Sequence, residues 1–357
     1  MNENIENVSN NSNTLLKVDG HGFIVSHRLY SRVASLPNSS QMGAVGKRRE
    51  MKWLEMINSW DRYVMKHPMK IKRRCQKGIP QSVRSLAWQF LSGANILIEK
   101  NIGLFEKLSG NKNSKWVDII QKDIPRTFRH HCMFHETGSQ GQDNLFKVLV
   151  AFSEYDSSIG YSQALAPIAA VLLMHMPPSE TFWVLVAITR SYLPGYFGEK
   201  MEAMKFDGML FGLLLDNYLP KVGKHMKDLQ IDPLMYIVEW MVCIFSRCLP
   251  FQTVLRIWDM FFCEGVKVLF KTGLSIMKIV LSTQNDLFEK DEFQTTNLLH
   301  NLPYDLMTDK ILLTEIINIK ISEQQFETAH AKICAANPDL KMNRFNGCIK
   351  YNTRIVS

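Results

Sequence analysis

Apolar residues recur along this chain at intervals of three and four. Leu145, Val148, Leu149 and Phe152 fall on one helical face, and Phe251, Val254, Leu255, Trp258 and Phe262 trace a second stripe. Val266, Leu269, Phe270, Leu274, Met277 and Leu281 trace a third. Trp116, Ile119 and Ile120 share a face after Ser114, a capping candidate, which predicts a helix over 116–123. No segment alternates with a period of two, so the pattern predicts an all-α fold of many packed helices. Two apolar runs, 164–176 and 234–245, are too short to span a bilayer and are interrupted by Pro167, His175 and Glu239. Both read as buried helices.

The breaks between helices carry the chemistry. Pro125 is expected to push Ile124 out of helical geometry, leaving Arg126 just beyond a helix end. Asp156-Ser157-Ser158-Ile159-Gly160 ends the helix that carries Leu145, and Pro167 fits the following helix only if that helix starts a few residues earlier. Gln163 therefore falls on the loop or the first turn. Arginine presents a permanently charged fork shaped for phosphate oxygens, and glutamine holds a water by donating and accepting at once. Together the two tips suit hydrolysis of a nucleotide held by another protein. Each also has a plainer reading, as a solvated arginine and a capping or surface glutamine. Asp123 either buttresses the guanidinium or accepts a turn hydrogen bond, and Tyr161 reads as a ring packed beneath its loop.

Three motifs occur in order: Arg84-Ser85-Leu86-Ala87-Trp88 as R-x-x-x-W, Ile120-Gln121-Lys122-Asp123-Ile124-Pro125-Arg126 as I-x-x-D-x-x-R, and Tyr161-Ser162-Gln163 as Y-x-Q. Through them the chain resembles the TBC-domain activators of Rab-type small GTPases. The likeness runs from about residue 47 to about 333, through Asp232-Pro233-Leu234-Met235-Tyr236, Glu239-Trp240, Leu249-Pro250 and Arg256-Ile257-Trp258-Asp259-Met260-Phe261-Phe262. Cys75-Gln76-Lys77-Gly78-Ile79-Pro80 and the run 166–177 are similar to a subgroup whose vertebrate members bind an ezrin-linked PDZ scaffold. The resemblance implies a two-lobed, all-α Rab-GAP domain. In it Arg126 and Gln163 are the catalytic fingers, inserted in trans into a Rab in its GTP form. Asp123, Tyr161, Arg84, Trp88, Trp258 and Asp259 are then supporting or structural residues, with Trp88, Trp258 and Asp259 belonging to the framework. The chain needs no cofactor of its own, because GTP and Mg²⁺ are carried by the partner GTPase. Regulation of vesicle traffic from the cytoplasm follows, with peripheral placement on an endosomal or plasma membrane.

Two departures stand out. Ala164 replaces a glycine frequent in the family, although the subgroup also carries alanine there, and Arg129 replaces a proline common after the phenylalanine of the arginine motif. The latter bears on the pose of that loop. The last residues, Arg354-Ile355-Val356-Ser357, do not suit a PDZ-binding end.

With 357 residues and 46% hydrophobic content, the chain can bury a substantial core. Its expected division is a mostly disordered arm at 1–45, a basic helical lead-in at 46–77, the TBC domain at 78–281, and helices of the same fold with a short tail at 282–357. The arm is rich in asparagine and serine and buries little. Within it Asp19-Gly20-His21-Gly22-Phe23-Ile24 is similar to a short block that precedes the domain in the subgroup.

The net charge of +8 is locally concentrated: Lys66, Lys70, Lys72, Arg73, Arg74 and Lys77 occur with no acidic residue among them. Such a run either leans on an anionic leaflet or acidic partner, or is a solvated helix face. Nucleic acid is not an expected partner, since no aromatic interleaving or binding module accompanies the charge. Seven cysteines form no paired framework, and with no signal peptide they point to reduced thiols. His130, His131, Cys132 and His135 have metal-ligating chemistry but no second ligand pair, so no metal is expected.

Two rival functions remain. Gly160-Tyr161-Ser162-Gln163-Ala164 lies one methyl from the G-x-S-x-G elbow of hydrolases, which would make Ser162 a nucleophile, but that elbow needs a preceding strand. A non-catalytic module that binds a GTPase or scaffold is the other; the presence of both Arg126 and Gln163 argues for catalysis. The chain has no G-x-x-x-x-G-K-[ST] loop with which to hold a nucleotide itself.

Overall fold

The computed structural model describes residues 18–24, 43–111, 114–198, 200–282 and 290–337. Among them are helices and isolated bridges but no strand, so the fold is all-α. The first ten helices are α1 (Gly43–Asn58), α2 (Trp60–Lys66), α3 (Pro68–Gln76), α4 (Gln81–Ser92), α5 (Ala94–Lys100), α6 (Leu104–Ser109), α7 (Val117–Asp123), α8 (Gln140–Tyr155), α9 (Leu165–Leu173) and α10 (Pro178–Ala187). The remaining eight are α11 (Glu202–Tyr218), α12 (Pro220–Asp228), α13 (Leu234–Val242), α14 (Phe251–Glu264), α15 (Lys267–Met277), α16 (Glu292–His300), α17 (Asp309–Asn318) and α18 (Glu323–Ala336).

Among the described residues three helices start on a capping side chain, whereas α7 starts after Trp116 without one, so Ser114 does not cap it. Ser139 accepts from the Gln142 N–H at the start of α8, and Asp291 with Gln294 and Ser322 with Gln325 form capping boxes at α16 and α18. The helices form two lobes. In the first, α8 packs on α6, α7, α9 and α10; in the second, α11 packs on α12, α13, α15 and α18. Helix α14 runs at the seam, against α3 and α4 on one side and α15 and α17 on the other.

One carboxylate ties this seam. Asp259 on α14 is fully buried and accepts hydrogen bonds from the Ile79 N–H (2.7 Å), Arg84 Nε (3.2 Å) and Trp88 Nε1 (3.0 Å). Arg84 also donates to the Ile79 carbonyl at 2.7 Å. A buried ion pair is stable only when its remaining lone pairs and protons find partners, and this one meets that condition. Trp88 packs against Trp258, Phe262 and His175, so the arginine and tryptophan of the first motif are framework residues.

Three expectations need correction. Ile119 is 47% exposed, whereas Ile120 and Ile124 are buried; α7 is a short helix that packs on α8 and buries only Ile120 and Asp123 of its own residues. Ile124 keeps helical geometry (φ −55°, ψ −53°) because Pro125 sits in a 3₁₀ turn, Ile124–Arg126, where a missing N–H costs little. The chain leaves the helix only at Thr127 (ψ 115°). The basic run is also not uniformly solvated: Lys72 pairs with Glu264 at 2.7 Å, and Arg74 donates to the Lys52 carbonyl while lying over the Tyr63 ring. Lys66, Lys70, Arg73 and Lys77 stay exposed. Of the arm expected at 1–45, only 18–24 and 43–45 fall among the described residues, and the tail beyond 337 lies outside them.

Candidate functional site

The arginine and glutamine motifs meet through Asp123. This residue ends α7 and is almost wholly buried, at 4% exposure. One carboxylate oxygen accepts from Arg126 Nη2, and the other accepts from the Tyr161 hydroxyl at 2.6 Å. Burial first, and then the hydrogen bond to Asp123 and its charge, hold the Tyr161 phenol far above its ordinary pKa, so it serves as a neutral donor. The Thr127 hydroxyl donates to the Asp123 carbonyl at 2.8 Å and fastens the turn from below. Anchored at one end, the Arg126 side chain is still 57% exposed.

The second motif is placed by the turn between α8 and α9. Gly160 takes φ +63°, and a Cβ there would lie 2.3 Å from Trp116 Cζ2, so only glycine lets this loop close on the start of α7. The Ile159 and Gly160 N–H groups donate to the Asp156 carbonyl, and the Asp156 carboxylate accepts from Ser158 and from Arg190 on the turn after α10. Burial works against that carboxylate, but the bonds from Ser158 and Arg190 outweigh it and keep its pKa below the usual range. Gln163 follows, exposed, in the turn that leads into α9, and Pro167 occupies the first turn of that helix. Ser162 lies in the same turn with helix α8 upstream, so no strand-to-helix elbow is built here.

Arg126, Arg129, Gln163, Ser246 and Arg247 line one open cleft of about 360 Å³, floored in part by Asp123 and Phe128. Three arginines and an exposed carboxamide on one concavity suit an anionic group and an ordered water. Arg84, Trp88 and Asp259 lie apart from it, in the seam.

Ser246 and Arg247 were missed by sequence reasoning. They follow a turn in which Ile244 (φ +49°) and Phe245 (φ +59°) hold left-handed conformations, pinned where Trp258 Nε1 donates to the Ile244 carbonyl at 3.0 Å. Turn signals rest on glycine, asparagine and aspartate, so a left-handed turn built from isoleucine and phenylalanine leaves no mark in the sequence. Phe128 is a further case, at φ +45°. A proline at 129 would press Phe128 toward extended backbone; Arg129 leaves it free to take this one.

The histidine cluster is engaged singly. His131 Nε2 donates to the His21 carbonyl at 2.8 Å while its Nδ1 accepts from the Met133 N–H, His130 neighbours Arg129, and His135 Nδ1 meets the Arg129 carbonyl. Among the described residues no three ligating side chains converge on a metal-sized point.

Known proteins share both fold and sequence with this chain. Residues 81–284 match the Rab-GTPase-TBC domain family. TBC1 domain family member 10A of Mus musculus is 43% identical over 88% of this chain and 62% of its own length, so the chain spans about three fifths of that relative. TBC1 domain family member whacked of Drosophila melanogaster is 37% identical over 80% of this chain and 79% of its own. The crystal structure of the Chlamydomonas flagellar RabGAP TBC domain superposes with a TM-score of 0.64 across 85% of this chain and 99% of that one, at 23% identity, and shares its fold. The three motifs in order, the all-α two-lobed architecture and the extent of these matches place the chain in the Rab-GTPase-TBC domain family.

Proposed function

We propose that this chain accelerates GTP hydrolysis on a Rab-type small GTPase, supplying Arg126 and Gln163 in trans. The observation that carries this reading is the double engagement of Asp123: one carboxylate fixes Arg126 and, through Tyr161, the loop of Gln163, so both tips share one cleft. As water attacks the terminal phosphate, charge develops on its oxygens, and the Arg126 fork is suited to meet it. An arginine supplied in trans contributes about 10³- to 10⁵-fold in rate, or roughly 4 to 7 kcal/mol. The Gln163 carboxamide is suited to orient the attacking water. GTP and Mg²⁺ come with the partner, and the chain adds no cofactor.

We also propose that the protein acts peripherally on an anionic membrane. Met65 and Met69 are 70% and 61% exposed at the junction of α2 and α3, beside the exposed Lys66, Lys70 and Arg73. Apolar tips among exposed cations suit a leaflet with negative headgroups. GTP turnover across a panel of Rab proteins, with and without the chain, tests the main reading. Binding to a Rab without acceleration would instead identify a non-catalytic module.

A further inference from the structure

We infer that residues 18–24, far upstream of the matched domain, form a strap that positions the arginine-bearing loop; this rests on the role proposed for Arg126. The strap is a compact turn of its own. Asp19 Oδ1 accepts from the His21 and Phe23 N–H groups at 2.8 and 3.0 Å, the Asp19 N–H donates to the Phe23 carbonyl at 2.9 Å, and Val18 bridges Ile24.

This turn then pairs with the backbone that follows Arg126. Phe23 and His131 form an antiparallel bridge, the Ile24 N–H donates to the His130 carbonyl at 2.7 Å, and the Cys132 N–H donates to the Gly22 carbonyl at 2.9 Å. The His131 ring adds its bond to the His21 carbonyl, and burial keeps that ring below its ordinary pKa and neutral, as the bond from Met133 to Nδ1 requires. Gly22 takes φ +89°, and a Cβ there would lie 2.7 Å from His131 Nε2, so this docking is specific to glycine.

The side chains reach the arginine loop itself. The Phe23 ring meets Phe128 at 6.0 Å, His131 at 4.9 Å and Phe251 at 4.9 Å between centroids, and His21 meets Phe251 at 5.5 Å. Phe128 stands two residues after Arg126 in a left-handed conformation that a bulky side chain keeps only where surrounding contacts over-determine it. Asp123 holds the arginine from the upstream side, and the strap holds the same loop from downstream. Without the strap, Phe128 loses one of its aromatic partners and the loop loses two backbone bonds, so the Arg126 fork is released from its fixed pose over the cleft.

The test uses the full chain with Phe23→Ala, Gly22→Ala and the conservative Phe23→Tyr. Amide hydrogen exchange at Ile24 and Cys132 reports docking of the strap without reference to activity. Single-turnover GTP hydrolysis by a Rab that the wild type accelerates, titrated with the chain, separates maximal rate from half-saturation. Phe23→Ala and Gly22→Ala are expected to speed exchange at Cys132, and to lower the maximal rate about 10- to 100-fold, as sub-ångström to ångström misplacement of a reacting group does. Half-saturation stays within about twofold, because the loss lies in the transition state. Phe23→Tyr restores the rate, and in an Arg126→Ala background Phe23→Ala costs nothing further. Faster exchange with an unchanged maximal rate overturns the proposal, as does an equal loss in both backgrounds or an effect confined to half-saturation. Unaltered exchange shows that the strap is not docked and also overturns it. A wild-type chain that accelerates no Rab overturns the functional reading and the positioning role with it, while the exchange data alone decide whether the strap holds the loop.

Discussion

Tyr161→Phe removes one oxygen and tests the joint between the two motifs. The hydroxyl donates to Asp123 Oδ2 at 2.6 Å, and both residues are buried, at 8% and 4% exposure. The ring remains, so the substitution opens no cavity larger than a hydroxyl, and the cost is that of one hydrogen bond to a charged acceptor, about 1.5 to 3 kcal/mol. Asp123→Asn keeps an acceptor oxygen but removes the charge, which reduces the same bond to about 0.5 to 1.5 kcal/mol. The two substitutions should therefore couple by about 1 to 2 kcal/mol in a double-mutant cycle. Urea unfolding at constant slope measures each corner, and the acceleration of Rab GTP hydrolysis by the chain should fall with Tyr161→Phe because Gln163 lies two residues along the same loop. A single-mutant cost below about 0.5 kcal/mol, or additive effects, would refute the claim that Asp123 joins the motifs.

Asp259→Ala strands Arg84 in the seam and should destabilise the fold by about 3 to 5 kcal/mol in urea unfolding; a cost under about 1 kcal/mol would contradict a satisfied buried pair. Burial, with Arg84, His21 and His131 adding repulsion, lowers the pKa of His175 from the ordinary 6.5 to about 3. The unfolded chain therefore binds the extra proton first: His175 contributes its full stability above pH 6.5 and loses it on acidification toward pH 3, at about 1.4 kcal/mol per pH unit. Denaturant midpoints for wild type and His175→Phe should diverge in slope across that window, and parallel slopes would contradict the assignment. Replacing Lys66, Lys70 and Arg73 by glutamine should weaken binding to anionic liposomes by roughly 10²-fold, at about 1 kcal/mol per cation, with salt weakening the wild type alike and solution turnover intact. Unchanged liposome binding would assign these residues to an ordinary solvated face.

Long apolar stripes were legible because burial on one side of a helix imposes its period on the sequence. The apolar spacing marks the buried faces of α8, α14 and α15, and Leu145, Val148, Leu149 and Phe152 are all buried. Ile119 was misread because two turns of helix cannot fix a phase. Pro125 misled for a related reason: it marks the end of α-helical hydrogen bonding but is compatible with a 3₁₀ continuation. Arg126 and Gln163 were legible as polar tips at helix breaks, while Ser246 and Arg247 were not, since their turn depends on a distant tryptophan rather than on local turn residues. The strap was visible only as a short resemblance. Its partners, His131 and Phe251, lie more than a hundred residues away, and composition of the surrounding segment argued against order.

Single-turnover GTP hydrolysis by a responsive Rab, measured with wild type, Arg126→Ala, Arg126→Lys and Gln163→Ala, tests the central claim most directly. Arg126→Ala should abolish most of the acceleration, by about 10³-fold or more, with the helical circular dichroism spectrum and unfolding midpoint retained. Arg126→Lys should recover little, because a point charge lacks the planar fork, and Gln163→Ala should also cost heavily. Full activity in both Arg126→Ala and Gln163→Ala, on a Rab that the wild type accelerates, would contradict the account.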